Sequence, residues 1–360
     1  MQPLELLLIT LLATRIVAAA WLPPRTTAWR AISGVVLLAA LAAHLLAEGA
    51  RWNAGPLYGL TVLVATIDLL ASRRTPPSHT PRPSQHWWPR SVALLGVTAV
   101  ALPIWLLPVP NLPAPTGPFA VGTDTIEIAL PSTVPRAVAG VDRARARLWY
   151  PATAPGSDAD PDCGDTWLEH ETVMLPALAR RAGLPGFALQ HLAHVRTHGC
   201  WGIPAAGEAP LPVLTFDHGR GGFAAQNTFL AEELASHGWL VVSVDHPGGA
   251  VLSVFGDGAT IPFDDASFGG GLEGAAYTAA IRTLGQRWIA ETRAILDALE
   301  RGEGPATLAG RIDRGTLVTS GHSTGGGSAF GLCAVESGCV ATIGLDPWML
   351  PTPPDLFDTG

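Results

Sequence analysis

Between residues 321 and 346 the chain reads GHSTGGGSAFGLCAVESGCVATIGLD, and two of its side chains could do hydrolytic chemistry together. Ser323 stands in a G-x-S-x-G pattern, the spacing of a nucleophile elbow, in which a serine sits on a sharp strand-to-helix turn with its hydroxyl exposed. The spacing has a steric reason: bulky neighbours would collide with adjacent backbone, and Gly321 and Gly325 avoid that collision. The helix that follows aims its N-terminal amides at a developing oxyanion. Asp346 closes the next apolar run, where a triad acid can stand. Upstream, FDHGRGG follows another apolar run and is placed to be the oxyanion-hole loop; by position, the donors are the backbone N–H groups of Arg220 and Thr324.

A triad also needs a base to take the serine proton. Only 14 residues follow Asp346, and none is histidine. His218 lies in the oxyanion loop and reads as a structural residue of that turn. His322 adjoins the serine, where neighbouring side chains point elsewhere. His246 starts a loop after a strand and is the one upstream substitute to weigh. The simpler expectation is an incomplete copy that lacks its last strands and the catalytic histidine. Such a chain would have little esterase activity and would leave an unpaired sheet edge beside VATIGLD.

The elements around these residues follow from hydrophobic periodicity. TDTIEIALP and RARARLWYPA alternate polar and apolar residues, as half-buried strands do. PVLTFDHG and WLVVSVDHP are short continuous apolar runs ending at turn residues, as expected of central strands in a parallel sheet. Residues 224–237 have helical spacing, with Gly238 placed to stop them. Ile281, Leu284, Trp288, Ile295 and Leu299 recur at helical intervals over 277–299. TLVTS and VATIGLD are two further strands. Alternating strands and helices predict an α/β fold with right-handed crossovers. Residues 155–210 read as an insertion, in which His191, His194 and His198 could share one helical face; an exposed, lid-like helix explains them better than a metal site.

The first third has a different character. Four apolar runs, Leu4 to Ala20, Ala31 to Ala47, Pro56 to Ala71 and Ser91 to Val109, are each roughly 16 to 19 residues, enough to span a bilayer at the short end. They lack the polar faces of soluble helices, and they predict a four-helix transmembrane region over 1–110. Arginines decide its orientation. Arg25 and Arg30 follow the first run, Arg73, Arg74, Arg82 and Arg90 follow the third, and Arg51 alone stands on the opposite side. The N-terminus and everything beyond the fourth run then lie outside the cytoplasm of a multi-pass cell-membrane protein, with Trp87 and Trp88 at the interface. His44 and Asp68, near span ends, read as interfacial. Residues 111–118 form a proline-rich, semi-rigid linker, and 119–360 the second domain.

Cys163, Cys200, Cys333 and Cys339 suit an oxidising compartment. The pairing Cys163 with Cys200 and Cys333 with Cys339 is favoured, although spacing alone leaves three pairings open. No C-x-x-C or close Cys/His cluster supports a metal, and no organic cofactor is implied. A formal net charge of −8 argues against nucleic acid as a partner.

Three stretches taken together, DHGRGGFAAQNTFLAEELASHGWLVVSVDHPGG, GHSTGG and GLDPWMLP, resemble the platelet-activating factor acetylhydrolase family of α/β-hydrolases, serine esterases that act on phospholipids with short or oxidised acyl chains. The resemblance covers roughly 119–351. It implies an α/β-hydrolase fold, Asp346 as triad acid, and a histidine beyond it that this chain does not hold. The membrane region, with AEGARWNAGPLY between its second and third helices, is similar to that of some bacterial members, and Glu48 with Arg51 could form an ion pair docking the two regions. The expected substrate is a short-chain or lipid-derived ester met at the bilayer. A broad esterase or polyester hydrolase is the enzymatic alternative, and a non-catalytic membrane receptor or scaffold the alternative of another class; the sequence leaves oligomeric state open.

Overall fold

The computed structural model describes residues 2–21, 26–73, 88–135, 142–154 and 163–353. Most of the arginine-rich connector after the third apolar run and the start of the insertion fall outside them. By its contacts the chain divides into two compact units, 1–111 with 188–195, and 112–187 with 196–360.

The first unit is built of helices α1 (Pro3–Trp21), α2 (Thr27–Ala47), α3 (Gly55–Ser72) and α4 (Trp88–Leu106). Three helical segments, Pro3–Trp21, Thr27–Ala47 and Trp52–Ser72, are long and apolar enough to cross a membrane. The described apolar part of α4 covers only Ser91–Leu106. Four helices therefore form, as the sequence predicts, and among the described residues three of them are long and apolar enough to span. Their outward faces carry Leu7, Val35, Leu63, Ile67, Leu94 and Trp105 in exposed positions, the inverse of a water-facing helix. Small residues let the helices approach. A Cβ on Gly34 of α2 would stand 3.0 Å from the Ala65 carbonyl oxygen of α3, the close crossing that glycine permits between apolar helices.

Inside this unit several charged groups are paired. Arg15 forms a two-pronged salt bridge with Asp68. The Glu48 carboxylate accepts the Leu4 and Glu5 backbone N–H groups at 2.7 and 3.0 Å, capping α1. Arg51 turns to Glu5, with both groups buried. The expected Glu48–Arg51 pair is thus replaced by two separate partnerships, because the orphan amides at the start of α1 and the Glu5 carboxylate lie within reach. His44 and Asp68 are buried within the unit; the ring of His44 lies between Glu48 and Tyr58.

The second unit is a seven-stranded mixed sheet with helices. Its strands are β1 (Ala120–Ala129), β2 (Arg143–Ala152), β3 (Cys200–Trp201), β4 (Leu211–Asp217), β5 (Leu240–Asp245), β8 (Ile312–His322) and β9 (Cys339–Leu345); a separate hairpin is formed by β6 (Leu252–Val254) and β7 (Thr260–Pro262). The order is β3-β1-β2-β5-β4-β8-β9. β1 and β5 run antiparallel to β2, whereas β5, β4, β8 and β9 run parallel. The helices are α5 (Glu171–Arg181), α6 (Thr228–Ser236), α7 (Gly274–Glu300) and α8 (Thr324–Val335). One cluster joins Ala294, Ile295 and Leu299 of α7 to the alternate residues Leu240, Val242 and Val244 of β5. Another joins Ala231 and Ala235 of α6 to Val241 of β5 and Phe216 of β4. Both faces of the central strands are covered, which is why they read as unbroken apolar runs.

Two expectations change in detail. The helix expected over 224–237 begins as a 3-10 turn, Ala224–Asn227, before α6, and Gly238 ends it at φ 99°. The histidines of the insertion do not share a helical face, because Gln190–His194 is a single 3-10 turn that stops before His198.

Candidate active site

The parallel strands β4, β8 and β9 end together, and their C-terminal ends carry the residues singled out in the sequence. β8 delivers Ser323 directly into α8. Ser323 has φ 52° and ψ −117°, a left-handed conformation that costs a non-glycine residue on the order of 1–3 kcal/mol and persists only where its surroundings over-determine it. Those surroundings are backbone. A Cβ on Gly321 would lie 2.4 Å from the Gly325 carbonyl carbon, and one on Gly325 would lie 2.1 Å from the Asp217 carbonyl oxygen. Neither position tolerates a side chain, so the G-x-S-x-G spacing is the condition for seating α8 on the end of β4.

Asp346 follows β9 in a turn with φ 46°. Backbone hydrogen bonds clamp that turn to the elbow: Ser323 N–H donates to the Leu345 carbonyl at 3.1 Å, and Trp348 N–H donates to the Ser323 carbonyl at 2.8 Å. Cys333, near the end of α8, is bonded to Cys339 at the start of β9, and Cys163 to Cys200. Both favoured pairings are present; the first links the helix behind the serine to the strand that carries Asp346.

The loop after β4 closes over the serine. A Cβ on Gly219 would touch Ser323 Cβ at 3.3 Å and His322 Nδ1 at 2.7 Å, so the loop backbone lies close against Ser323. The loop is held by Gly221 N–H to Gly249 O, Gly222 N–H to Gly219 O and Val251 N–H to Gly222 O, all at 2.8–2.9 Å. Among the described residues, Arg220 N–H has no hydrogen-bond partner. Thr324 opens α8, so its N–H has no helical acceptor. Two donors thus remain free on either side of the elbow.

The histidines answer the question of the base. His246 is fully buried; its Nδ1 faces Glu291 at 2.8 Å and its Nε2 faces Asp217 at 3.2 Å. Its ring stacks on Trp288 at 4.1 Å. Burial works against the cation, but the hydrogen bonds and charges of Asp217 and Glu291 outweigh it and push the pKa up to about 9. A protonated imidazole with both nitrogens occupied cannot accept the serine proton, so His246 is not a substitute base. His218 beside it is wholly buried; burial, and then the charge of His246, push its pKa down to about 3. His322 lies against Gly219. Among the described residues no hydrogen bond joins His218, His246 or His322 to Ser323 Oγ or to the Asp346 carboxylate.

Sequence reading missed the buried network behind the elbow. Asp217 accepts from Thr292 at 3.1 Å as well as facing His246, and Arg287 donates to Glu291 at 2.7 Å. The available signal was Arg287 and Glu291 four residues apart on the apolar helix α7, a spacing that places both on one face. No group of three or more His, Cys, Asp or Glu residues able to hold a metal occurs among the described residues.

Comparison with known proteins places this geometry. The family model described as platelet-activating factor acetylhydrolase, isoform II, matches residues 99–256, a span that includes the oxyanion loop but stops short of Ser323. Platelet-activating factor acetylhydrolase from Cavia porcellus is 27% identical over 232 residues, 58% of this chain and 51% of its own. That from Canis lupus familiaris is 24% identical over 57% and 50%. The chain is similar to the platelet-activating factor acetylhydrolases. It spans about half the length of the curated relatives it matches. A solved structure, ferulic acid esterase from Streptomyces cinnamoneus, superposes with a TM-score of 0.52 at 25% identity, covering 68% of this chain and 64% of its own. The sheet order and the elbow therefore belong to the α/β-hydrolase fold, and this platelet-activating factor acetylhydrolase-like chain has an esterase as structural neighbour.

Proposed function

We propose that the chain is a membrane-anchored serine ester hydrolase, multi-pass in the cell membrane with its hydrolase unit outside the cytoplasm, acting on short-chain or lipid-derived carboxylic esters. The observation that carries this reading is Ser323, held at positive φ on the elbow with free N–H groups of Arg220 and Thr324 to either side. The three long apolar helices and the export-compatible disulfides support the location.

In this reading Ser323 Oγ attacks the ester carbonyl carbon, and the carbonyl oxygen takes up negative charge between the two N–H groups. Losing one such donor typically costs about 10²–10³ in rate. The C–O bond to the alcohol then breaks, the alcohol leaves with a proton, and water releases the acid from the acyl-serine. Asp346 is the acid that orients a histidine base. The described histidines do not serve as that base, so turnover by these 360 residues alone is expected to be slow.

The test separates the nucleophile from its base. The chain is incubated with p-nitrophenyl acetate, with and without added imidazole, and Ser323 is examined by mass spectrometry. Imidazole-stimulated acetylation of Ser323, absent in Ser323→Ala, is the expected result. A serine that stays unmodified under both conditions, and unlabelled by a fluorophosphonate probe, would overturn the reading in favour of a non-catalytic membrane protein with a hydrolase fold.

A further inference from the structure

The rim of the candidate site carries two guanidinium groups that the ester-hydrolase reading does not use. Arg220 offers its backbone N–H to the oxyanion, but its side chain runs outward, 46% exposed, to pair with Asp265. On the way it passes the rings of Phe263 and Phe268, 5.5 and 5.2 Å from their centroids. Arg181 arrives from elsewhere, as the last residue of α5 in the insertion. Its guanidinium lies 4.9 Å from the centroid of the same Phe263 ring, and a Cβ on Gly221 would come within 2.9 Å of its Nε. Gly221 is two residues, at most about 7 Å, from Gly219, the residue that lies against Ser323. Two cations therefore share one aromatic platform at the edge of the oxyanion loop.

The balance of charge indicates what the platform can hold. Among the described residues, Asp265 is the one carboxylate within 4 Å of either guanidinium. That pair is exposed on both sides, so it is weak and readily exchanged for another anion. The neighbouring Asp264 is committed to the N–H groups of Ala266 and Ser267. The C-terminal dipole of α5 favours both basic residues of its last turn, Arg180 and Arg181, and it is Arg181 that lies on Phe263. A guanidinium held against an aromatic ring keeps its planar donor fork in place, and that fork matches a phosphate or carboxylate two oxygens at a time.

The geometry points to an anion subsite: Arg181 and Arg220 hold a phosphate or carboxylate of the ester substrate while its carbonyl lies at Ser323, an inference that rests on the ester-hydrolase reading. The subsite selects anionic esters over neutral ones. It gives the insertion a part in substrate choice, because Arg181 is the insertion's contribution to the rim.

Binding tests this without turnover. Glycerol 3-phosphate, glycerate and glycerol are titrated calorimetrically into the full chain in detergent micelles, at low and high salt. The expected result is that one or both anions bind and glycerol does not, with the tighter anion naming the group. Salt should weaken the binding. Arg181→Gln should reduce it about tenfold or more, the size of one charge-assisted hydrogen bond, and Arg181→Lys should retain an intermediate part. Arg301→Gln, a change of equal charge at an exposed arginine paired with Glu303, should keep the wild-type affinity. Equal affinity for glycerol and both anions, or equal losses in the Arg181 and Arg301 variants, would overturn the subsite. Either outcome is independent of whether Ser323 can be acylated.

Discussion

Replacing His246 by glutamine should unfold the second unit more readily than any surface change. The imidazolium lies between two carboxylates whose side chains have no exposed surface. Removing it leaves Asp217 with only the Thr292 hydroxyl, since its second oxygen already has no hydrogen-bond partner. Breaking a buried pair by deleting one member costs about 3–5 kcal/mol. The pKa gives a second figure: a rise from 6.5 to about 9 corresponds to roughly 3 kcal/mol of preference for the charged form in the folded state. The two agree, and for a unit of this size they amount to a fall in Tm on the order of 10 °C.

The sign of the pH effect follows from the raised pKa. The unfolded chain releases the His246 proton near pH 6.5, and the folded chain holds it to about 9, so the contribution is complete below pH 6.5 and is lost as pH rises through 9. The chain contains no lysine and its four cysteines are in disulfides, which leaves the window between pH 7 and 9 nearly free of other alkaline titrations. The assay is denaturant unfolding of the full chain in micelles, followed by near-ultraviolet dichroism. Wild-type stability should fall across that window, and His246→Gln should lack the fall. Asp217→Asn added to His246→Gln should recover part of the loss, because the stranded carboxylate is gone. A single variant costing under about 1 kcal/mol, together with a flat wild-type profile from pH 7 to 9, would refute the reasoning.

Other outcomes follow from the same geometry. Gly325→Ala would place a methyl group 2.1 Å from the Asp217 carbonyl oxygen; the elbow must shift, and the expected result is loss of Ser323 acetylation together with a lower Tm by thermal scan. Replacing Cys163 and Cys200 by serine opens a link spanning 37 residues, which should cost about 3–4 kcal/mol of stability in chemical denaturation.

How much of this was legible beforehand depended on whether the cause is local. The elbow was readable because its glycines leave a fixed spacing around the serine: Gly321 is demanded by the backbone of Gly325 and Gly326, four and five residues on, whereas Gly325 is demanded by the Asp217 carbonyl that the fold brings against it. The apolar helices were readable because length and composition are all a bilayer requires. The favoured disulfides joined the nearer cysteines, the outcome with the least loop to close.

Partner choice over long separations was not readable. Glu48 could face Arg51 three residues away, yet Arg51 goes to Glu5, 46 positions distant, and Glu48 to the amides that open α1. His246 was the one upstream substitute to weigh until the fold brought Asp217 and Glu291, 29 and 45 positions away, onto its two nitrogens. Arg181 was one more insertion residue until α5 laid it on Phe263. A charge or an imidazole carries no record of its partner in its own sequence neighbourhood; burial removes water as the alternative, and only the packing of distant elements decides which group takes water's place. The sequence alone pointed to Ser323 between its two glycines and to the apolar helices, through residue spacing and hydrophobicity. The tertiary structure decided which histidine is locked away, which charges are paired and which guanidinium groups reach the rim.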